Sequence, residues 1–268
     1  MKIAHEAPLS LMKYVQQVTD YDYALASLFE GVDGYLEYFT AAKKDGRMIL
    51  LDNGVFEEGV AMGANTYATW IEELQPDEYV VPDVLEDAEK TQANFREWCL
   101  NYNHLPGKMI GVVQGKTLAE FVDCYKFMSE FADKIAISFD YSFYEKELFP
   151  FEKVNKWEKY VAGRQGIFIY LYMLGILNMQ KPHHFLGAAL PNEFQDYVGS
   201  VFKSCIESVD TSNPVVYAIT QGRYPKHLGV VDTKNTTKMK DLISTPYSDK
   251  LLIDTIANIT QFRIQNIL

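Results

Sequence analysis

The chain has 268 residues, of which 48% are hydrophobic and 14% aromatic, enough apolar sequence for the core of one large domain. The formal net charge of −11 argues against a protein coated in basic surface for nucleic acid, although a local basic cleft remains compatible with it. The three cysteines have neither zinc-knuckle nor Cys-x-x-Cys spacing, so we expect Cys99, Cys124 and Cys205 to be reduced and buried.

The sequence contains no segment that predicts membrane insertion or secretion. Its longest apolar stretch, residues 166–177, is shorter than the roughly 20 residues that a transmembrane helix needs. The N-terminus has no apolar region of the kind that signal peptides carry. We therefore expect a soluble, cytoplasmic protein without membrane contacts.

Short β-rich runs follow one another along the chain and predict six strands. The runs are RMILLD (47–52), EYVVPD (78–83), KMIGVVQG (108–115), KIAISFD (134–140), HHFLGAAL (183–190) and CIESVD (205–210). The N-terminus and the region 214–230 have room for two further strands.

Segments with helical spacing separate these strands. Apolar residues recur every three or four positions in 85–99, 118–128 and 194–202, and residues 249–268 read as one long amphipathic helix. Alternating strands and helices, with continuously apolar strands, predict a parallel sheet covered by helices. No glycine-rich phosphate loop follows the first strands, so we predict an α/β fold, a single-domain (β/α)8 TIM barrel over residues 1–268, rather than a Rossmann fold.

Polar side chains end five of the predicted strands. In a (β/α)8 barrel the carboxyl ends of the strands converge on the face that carries the chemistry. Five such groups arriving from different strands therefore predict a functional site at that face. They are Asp52, Asp83, Gln114, Asp140 and Asp210.

Each aspartate also has an ordinary structural explanation. Asp52 suits a turn or a helix N-cap, Asp83 directly precedes a predicted helix, and Asp210 suits an Asx turn. Asp140, close to Ser138, is equally compatible with a residue that faces water.

Gln114 and the pair of adjacent histidines each have a functional and a structural interpretation. A glutamine at the end of an apolar strand is costly to bury unless its amide is paired, and a ligand edge would pair Gln114. His183 and His184 are adjacent on a strand, so their side chains point in different directions, and we interpret them as structural histidines rather than a metal pair.

Five motifs, in order over residues 47–215, resemble those of the tRNA-guanine transglycosylases. LDNGVF (51–56) resembles the family's Asp-Ser-Gly-Gly-Phe-Gln, VVPDV (80–84) its purine-reading aspartate, and GVVQG (111–115) its Gly-Ile-Val-Gln-Gly. HHFLGAALPNEF (183–194) resembles Tyr-Leu-Met-Gly-Val-Gly-x-Pro, and SVDTSNP (208–214) resembles the nucleophile motif Phe-Asp-Cys-Val-x-Pro. Each motif is short, and their shared order and spacing carry the resemblance.

The resemblance implies a role for each matching residue. Asp210 would be the nucleophile that attacks C1′ of the nucleoside, and Asp52 would be the nearby acid/base. Asp83 would accept hydrogen bonds from the purine N1–H and 2-amino group, and Gln114 would donate to O6. Phe56 would stack near the base. The other implied substrate contacts are Gly115, Ser138 and Gly187.

Two departures from the family pattern point to a subfamily. No cysteine follows Cys205, so the family's four-ligand zinc site cannot form, and we predict neither a metal nor another cofactor. ISFDYSF (137–143) replaces the family's Gly-Gly-Leu-Ala strand, which leaves the identity of the incoming base open. The compact, zinc-free chain resembles the phage-encoded members that place 7-deazaguanines such as preQ0 into DNA.

The expected partners are therefore DNA and a 7-deazaguanine base, in the host cytoplasm if the chain is phage-encoded. We name Arg164, Arg223 and Lys226 as nucleic-acid contacts, although a solvated loop explains the basic stretch after Asp210 equally well. Related transglycosylases pair as dimers, so a homodimer is compatible with the resemblance.

Three alternatives stay open. The same chemistry on tRNA is one, and loss of the zinc region counts against it. A non-catalytic paralogue that binds nucleic acid or a protein partner is the second, but it has no chemical need for both Asp52 and Asp210. An unrelated barrel glycosidase would also use paired carboxylates, whereas Asp83 and Gln114 suit a purine edge better.

Overall fold

The structure is a computed structural model that describes residues 1–150, 153–225 and 236–267. Its strands form one parallel sheet in the order β1-β8-β7-β6-β5-β4-β3-β2. They are β1 (Lys2–His5), β2 (Asp22–Leu25), β3 (Ile49–Asp52), β4 (Glu78–Val80), β5 (Lys108–Val112), β6 (Lys134–Ser138), β7 (His183–Leu186) and β8 (Ile206–Thr211).

Helical segments follow every strand. They are α1 (Met12–Val15), α2 (Tyr35–Lys44), α3 (Val55–Glu58), α4 (Ala64–Leu74), α5 (Ala88–Asn101), α6 (Leu118–Phe131), α7 (Lys156–Met173), α8 (Gln195–Val198), α9 (Asn213–Thr220), α10 (Met239–Leu242) and α11 (Asp249–Ile267). Eight parallel strands alternating with helices are the (β/α)8 TIM-barrel arrangement, so the predicted fold class is confirmed.

The six predicted strands are all present: four end earlier than predicted, β3 begins two residues later, and β8 is shifted by one residue towards the C-terminus. The N-terminus supplies both of the remaining strands, β1 and β2. The prediction of a strand within 214–230 is wrong for residues 214–220, which belong to α9; residues 226–230 lie outside the described part of the chain. Pro214 in the first helical turn suits a helix start, and α9 packs on α11.

Two helix predictions need correction. The helix after β4 is capped by Asp87, whose carboxylate accepts the Lys90 N–H, and not by Asp83. The segment 194–202 is not one helix, because α8 ends at Val198, Gly199 is its C-cap, and a separate 3₁₀ turn follows from Val201 to Ser204.

The chain forms two compact units. The first consists of Met1–Asp20, Ser138–Gln180 and His184–Leu268. Within it β1 pairs with β8 so that Ala4 lies opposite Asp210. Asp210 is the penultimate residue of β8, so the predicted nucleophile lies near the carboxyl end of this strand pair.

The second unit consists of Tyr21–Ile137 and Lys181–His183. Its strands run β2 to β6 in parallel register, with Leu25 opposite Asp52 and Val80 opposite Ile110. The register brings the carboxyl ends of β3, β4 and β5 to the same edge, and the polar residues of that edge form the cluster described below.

The cysteines are free, and Cys124 and Cys205 are buried as predicted, whereas Cys99 is only half-buried. Burial raises the pKa of the Cys124 thiol to about 12, so it is not a reactive thiolate at neutral pH. Among the helices that the structure describes, none combines the length and apolarity that crossing a bilayer requires.

Candidate active site

Asp52 ends β3 and is held at both carboxylate oxygens. Its Oδ2 accepts a hydrogen bond from the Tyr23 hydroxyl on the neighbouring strand β2. Its Oδ1 accepts the Gly54 N–H at 3.0 Å, which is the Asx turn that the sequence allowed. Asp52 therefore both forms the turn and is the candidate acid/base, and its carboxylate accepts a hydrogen bond from a tyrosine hydroxyl.

Gly54 makes the sharp turn after Asp52 feasible. Its φ of +79° lies in the left-handed region, which suits glycine. A Cβ built there would lie 2.9 Å from the Ser27 Oγ, closer than real Cβ contacts. Phe56 follows on the short helix α3 and is 40% exposed.

A buried polar network links the ends of β3, β4 and β5. Asp83 accepts from the Asn53 amide at 2.9 Å through Oδ1, and from the Gln114 amide at 2.7 Å through Oδ2. The Gln114 Oε1 accepts the Glu86 N–H at 2.9 Å. The hypothesis that a ligand is needed to pair Gln114 is therefore wrong, because the protein pairs both ends of its amide.

Burial raises the pKa of Asp83 from 3.8 to about 6, and the nearby Asp52 carboxylate adds to the increase. The donated hydrogen bonds from Asn53 and Gln114 act in the opposite direction, but they are weaker than the cost of burial. Burial, reinforced by Asp52, also raises the pKa of Tyr67 well above its ordinary value. Asp52 and Asp83 are thus electrostatically coupled within this unit.

A cavity of about 210 Å³ opens beside Asp83. Its walls include Met62, Pro82, Trp98 and Tyr102. The Trp98 and Tyr102 rings lie 4.4 Å apart and tilted by 32°. Asp83, Asn94 and Glu97 also line the cavity, so it combines aromatic walls with side chains that accept hydrogen bonds, which suits a small ligand that donates them.

In the other unit, Asp210 is held through one oxygen. Its Oδ1 contacts the His184 Nε2 at 3.1 Å and accepts the Gly187 N–H at 3.1 Å. Its Oδ2 receives no hydrogen bond from any residue that the structure describes. The Asx-turn explanation of Asp210 is thus wrong, and the carboxylate keeps one oxygen available for chemistry.

Arg164 is not a nucleic-acid contact, because its side chain is completely buried. Its guanidinium pairs with Glu193 and donates to the carbonyls of Leu186 at 3.1 Å and Gly187 at 2.8 Å. Glu193 also accepts the Ala189 N–H at 2.7 Å. The ion pair therefore fixes the loop after β7, which supplies the N–H that binds Asp210.

The other predicted contacts have local partners. Ser138 donates to Asp140 at 2.8 Å, and Asp140 is half-buried rather than fully solvated. Gly115 is buried against the start of α6, where a Cβ would lie 2.5 Å from the Phe121 nitrogen. Both therefore have structural reasons to be present, independent of a bound base.

Of the three predicted phosphate contacts, Arg223 is the one that is both described and exposed. Arg223 is 59% exposed and forms an ion pair with Asp254 at 2.7 Å. Lys226 lies outside the described residues. No group of three or more histidine, cysteine, aspartate and glutamate side chains within the described ranges is arranged to hold a metal ion.

Sequence reasoning missed four residues of these clusters: Tyr23, Asn53, His184 and Glu193. Asn53 stands next to Asp52 in the LDNGVF motif, but no role was assigned to it from the sequence. The adjacent histidines do take different directions, since His183 contacts the Tyr125 hydroxyl at 2.9 Å, but His184 contacts a predicted functional residue. Tyr23 and Glu193 carry no local signal, since their partners are distant in sequence.

No protein-family model matches the chain, and no curated protein matches it. A solved structure from Aquifex aeolicus VF5, described as a structural study of a project, is similar with 13% identity and a TM-score of 0.50, over 99% of this chain and 92% of that one. A mutant of methylaspartate ammonia lyase from Clostridium tetanomorphum has 12% identity and a TM-score of 0.45, over 98% of this chain and 59% of that one. The first similarity shows the fold alone, and the second carries no functional argument.

Proposed function

We propose that the chain is a base-exchange transglycosylase that replaces guanine in DNA with a 7-deazaguanine, using Asp210 as the nucleophile. The observation that carries the proposal is the state of Asp210, whose Oδ1 is held by His184 and Gly187 while Oδ2 has no hydrogen bond from the described residues. A fixed carboxylate with one available oxygen is what covalent catalysis at a sugar carbon requires.

The proposed reaction has two displacements. Asp210 Oδ2 forms a bond to C1′ as the bond from C1′ to guanine N9 breaks, and guanine leaves with a proton on its ring. The incoming base then attacks C1′, loses its N9 proton, and releases the aspartate, so that configuration at C1′ is retained. One proton is delivered and one removed, and Asp52, with the Tyr23 hydroxyl bound to it, is the group proposed to move them.

Recognition of the base is assigned to Asp83 and Gln114. Each oxygen of the Asp83 carboxylate accepts one internal hydrogen bond and keeps a second lone pair, which is the pattern needed for N1–H and a 2-amino group. The Gln114 Oε1 accepts the Glu86 N–H and its Nε2 donates to Asp83, which leaves the second Nε2 hydrogen to donate to the acceptor O6. Asp83 lines the cavity of about 210 Å³, whereas Gln114 is not among the residues that line it.

The choice of DNA rests on the resemblance and on the missing zinc ligands. In a duplex the target guanine must leave the stack, so single-stranded or mismatched DNA is the preferred first substrate. The exposed Arg223 is the remaining described candidate for a phosphate contact. The same chemistry on tRNA is the alternative, and the assay below includes it.

The test is incorporation of labelled guanine or preQ0 into DNA and tRNA offered in parallel. Asp210→Asn is expected to abolish incorporation, whereas Asp123→Asn, at an exposed position on α6, is expected to leave it unchanged. Incorporation into DNA alone supports the proposal. Incorporation into tRNA alone moves the substrate to RNA, and no incorporation into either polymer overturns the proposed activity.

A further inference from the structure

We propose that His184 and Ser208 form a positioning pair for Asp210, in which the imidazole holds Oδ1 through its Nε2–H and leaves Oδ2 as the reacting oxygen. The inference rests on the proposed function in one respect, because it takes Asp210 as the nucleophile. The positioning of the carboxylate can be tested without it. From the sequence alone, His184 was interpreted as a structural histidine with no role at the site.

Two hydrogen-bond contacts connect three polar side chains across two strands. The His184 Nδ1 lies 2.9 Å from the Ser208 Oγ, and its Nε2 lies 3.1 Å from the Asp210 Oδ1. Ser208 and Asp210 are two residues apart on β8, so their side chains share one face of the strand. His184 belongs to β7, the neighbour of β8 in the sheet, and its side chain is fully buried.

The chemistry of the three groups selects one imidazole tautomer. An ionised carboxylate only accepts hydrogen bonds, so the nitrogen that faces Asp210 must carry the proton. In a neutral imidazole the other nitrogen is then an acceptor, and a serine hydroxyl is able to donate to it. Ser208 thus satisfies a buried lone pair on Nδ1 and holds the plane of the ring.

A second donor reaches the same oxygen from the loop after β7. The Gly187 N–H contacts Oδ1 at 3.1 Å, and the Gly187 carbonyl is itself held by Arg164. Two donors on Oδ1 stabilise negative charge there and fix the rotation of the carboxylate. Oδ2 remains the less stabilised oxygen, and it is the one free to bond to carbon.

The arrangement differs from simple burial of a ring. A histidine that only fills space is replaceable by an apolar ring, whereas a positioning histidine is replaceable only by a side chain that keeps an N–H at the Nε2 position. Gln supplies such a donor and Phe does not. His183 is the matched control, because it is the adjacent residue, is equally buried and contacts Tyr125 instead of Asp210.

The first experiment measures kcat and KM for the incoming base in the full-length wild-type protein and in His184→Phe, His184→Gln, Ser208→Ala and His183→Phe. His184→Phe is expected to lower kcat about 100-fold with KM within about 3-fold, and Ser208→Ala about 10-fold, as loss of an outer partner typically does. His184→Gln is expected to recover kcat to within about 10-fold of wild type, and His183→Phe to keep it. Wild-type kcat in a folded His184→Phe protein overturns the inference.

The second experiment reads the tautomer directly. The chain has five histidines, so ¹⁵N-histidine NMR with single substitutions identifies the His184 signals. We expect the Nε2–H tautomer in the wild type and its loss or exchange broadening in Ser208→Ala; this spectrum decides the inference if His184→Phe does not fold. An Nδ1–H tautomer overturns the inference. A wild type with the Nε2–H tautomer that exchanges no base on either polymer overturns the proposed function and leaves the positioning of Asp210 standing.

Discussion

The Gln114 amide donates to the Asp83 carboxylate at 2.7 Å while its own oxygen accepts the Glu86 N–H. Asn53 is oriented in the same way, since its Oδ1 accepts the Val55 N–H at 2.8 Å and its Nδ2 points to Asp83. Both amides therefore present donors, and Asp83 must accept at both oxygens. A carboxylate is the side chain that satisfies this site without turning either amide.

The raised pKa of Asp83 predicts a pH-dependent stability. Its folded-state pKa of about 6 lies above the ordinary 3.8, so the folded state binds the proton more tightly. This contribution is fully present below about pH 3.8 and is lost as pH rises through 6, at about 1.4 kcal/mol for each unit of pKa difference. Urea unfolding of wild type and Asp83→Asn between pH 4 and 7 measures it, and parallel curves for the two proteins contradict the assignment.

His5 predicts a slope of the opposite sign. Burial, with a smaller effect of Arg263, lowers the pKa of His5 from 6.5 to about 3, and neither ring nitrogen has a hydrogen-bond partner among the described residues. The stability is complete above pH 6.5 and falls as pH drops towards 3, by up to about 1.4 kcal/mol per pH unit. His5→Phe keeps a ring against Phe262 and removes the proton site. A difference in unfolding free energy between wild type and His5→Phe that does not change between pH 6.5 and 4 refutes the prediction.

Gly187 and Gly175 offer a matched pair of alanine substitutions. Both have a φ of +66°, but a Cβ at Gly187 would lie 2.7 Å from the Phe139 ring, whereas nothing lies within 4 Å of a Cβ at Gly175. Gly175→Ala is expected to cost about 1–2 kcal/mol for the backbone conformation alone. Gly187→Ala is expected to cost roughly 1–3 kcal/mol more from the clash, and to reduce base exchange by moving the N–H that binds Asp210.

Thermal or urea unfolding of the two alanine variants gives the comparison. Equal losses of stability in both would show that Phe139 yields to the added methyl group. Unchanged exchange in a folded Gly187→Ala protein would show that this N–H does not position the carboxylate.

The buried ion pair of Arg164 and Glu193 predicts a large stability effect. Arg164→Met leaves Glu193 charged and buried without its partner, and we expect a loss of about 3–5 kcal/mol. Arg223→Met is the surface control, because Arg223 is exposed and Asp254 keeps Lys250 as a partner at 2.6 Å, so the expected loss is below about 1 kcal/mol.

A double variant checks the cause. Adding Glu193→Gln to Arg164→Met removes the unpaired charge, so the double variant is expected to be more stable than Arg164→Met alone. If urea unfolding gives the double variant the same or lower stability, the loss comes from packing around the guanidinium rather than from the stranded carboxylate.

Prediction from sequence succeeded where the signal is local. Runs such as ILLD and KIAIS are apolar over a strand length, and the periodic segments of α5, α6 and α11 carry their helical spacing in the chain itself. It failed for α9, where Val215 and Val216 have strand propensity but the segment packs as a helix on α11. Tertiary packing overrode a local preference there.

The positions of the candidate site residues could be predicted because a parallel α/β fold places strand ends at one edge, so Asp52, Asp83 and Gln114 needed only correct strands. Their hydrogen-bond partners could not. Which donor meets which acceptor depends on strand register and on loop paths, as in the approach of Tyr23 to Asp52 and of His184 to Asp210.

The order of strands and helices, and the acids at the strand ends, were thus determined by the sequence alone, because hydrophobic period and residue order are properties of neighbouring positions. Whether each charged side chain is buried or exposed, and which partner it pairs with, was decided by the tertiary structure. Arg164 has the sequence appearance of a surface cation, yet it is buried because Glu193, 29 residues away, and two loop carbonyls satisfy its donors. A charged side chain can be buried only where partners satisfy it, and these partners are brought together by the fold, so a local stretch of sequence does not predict them.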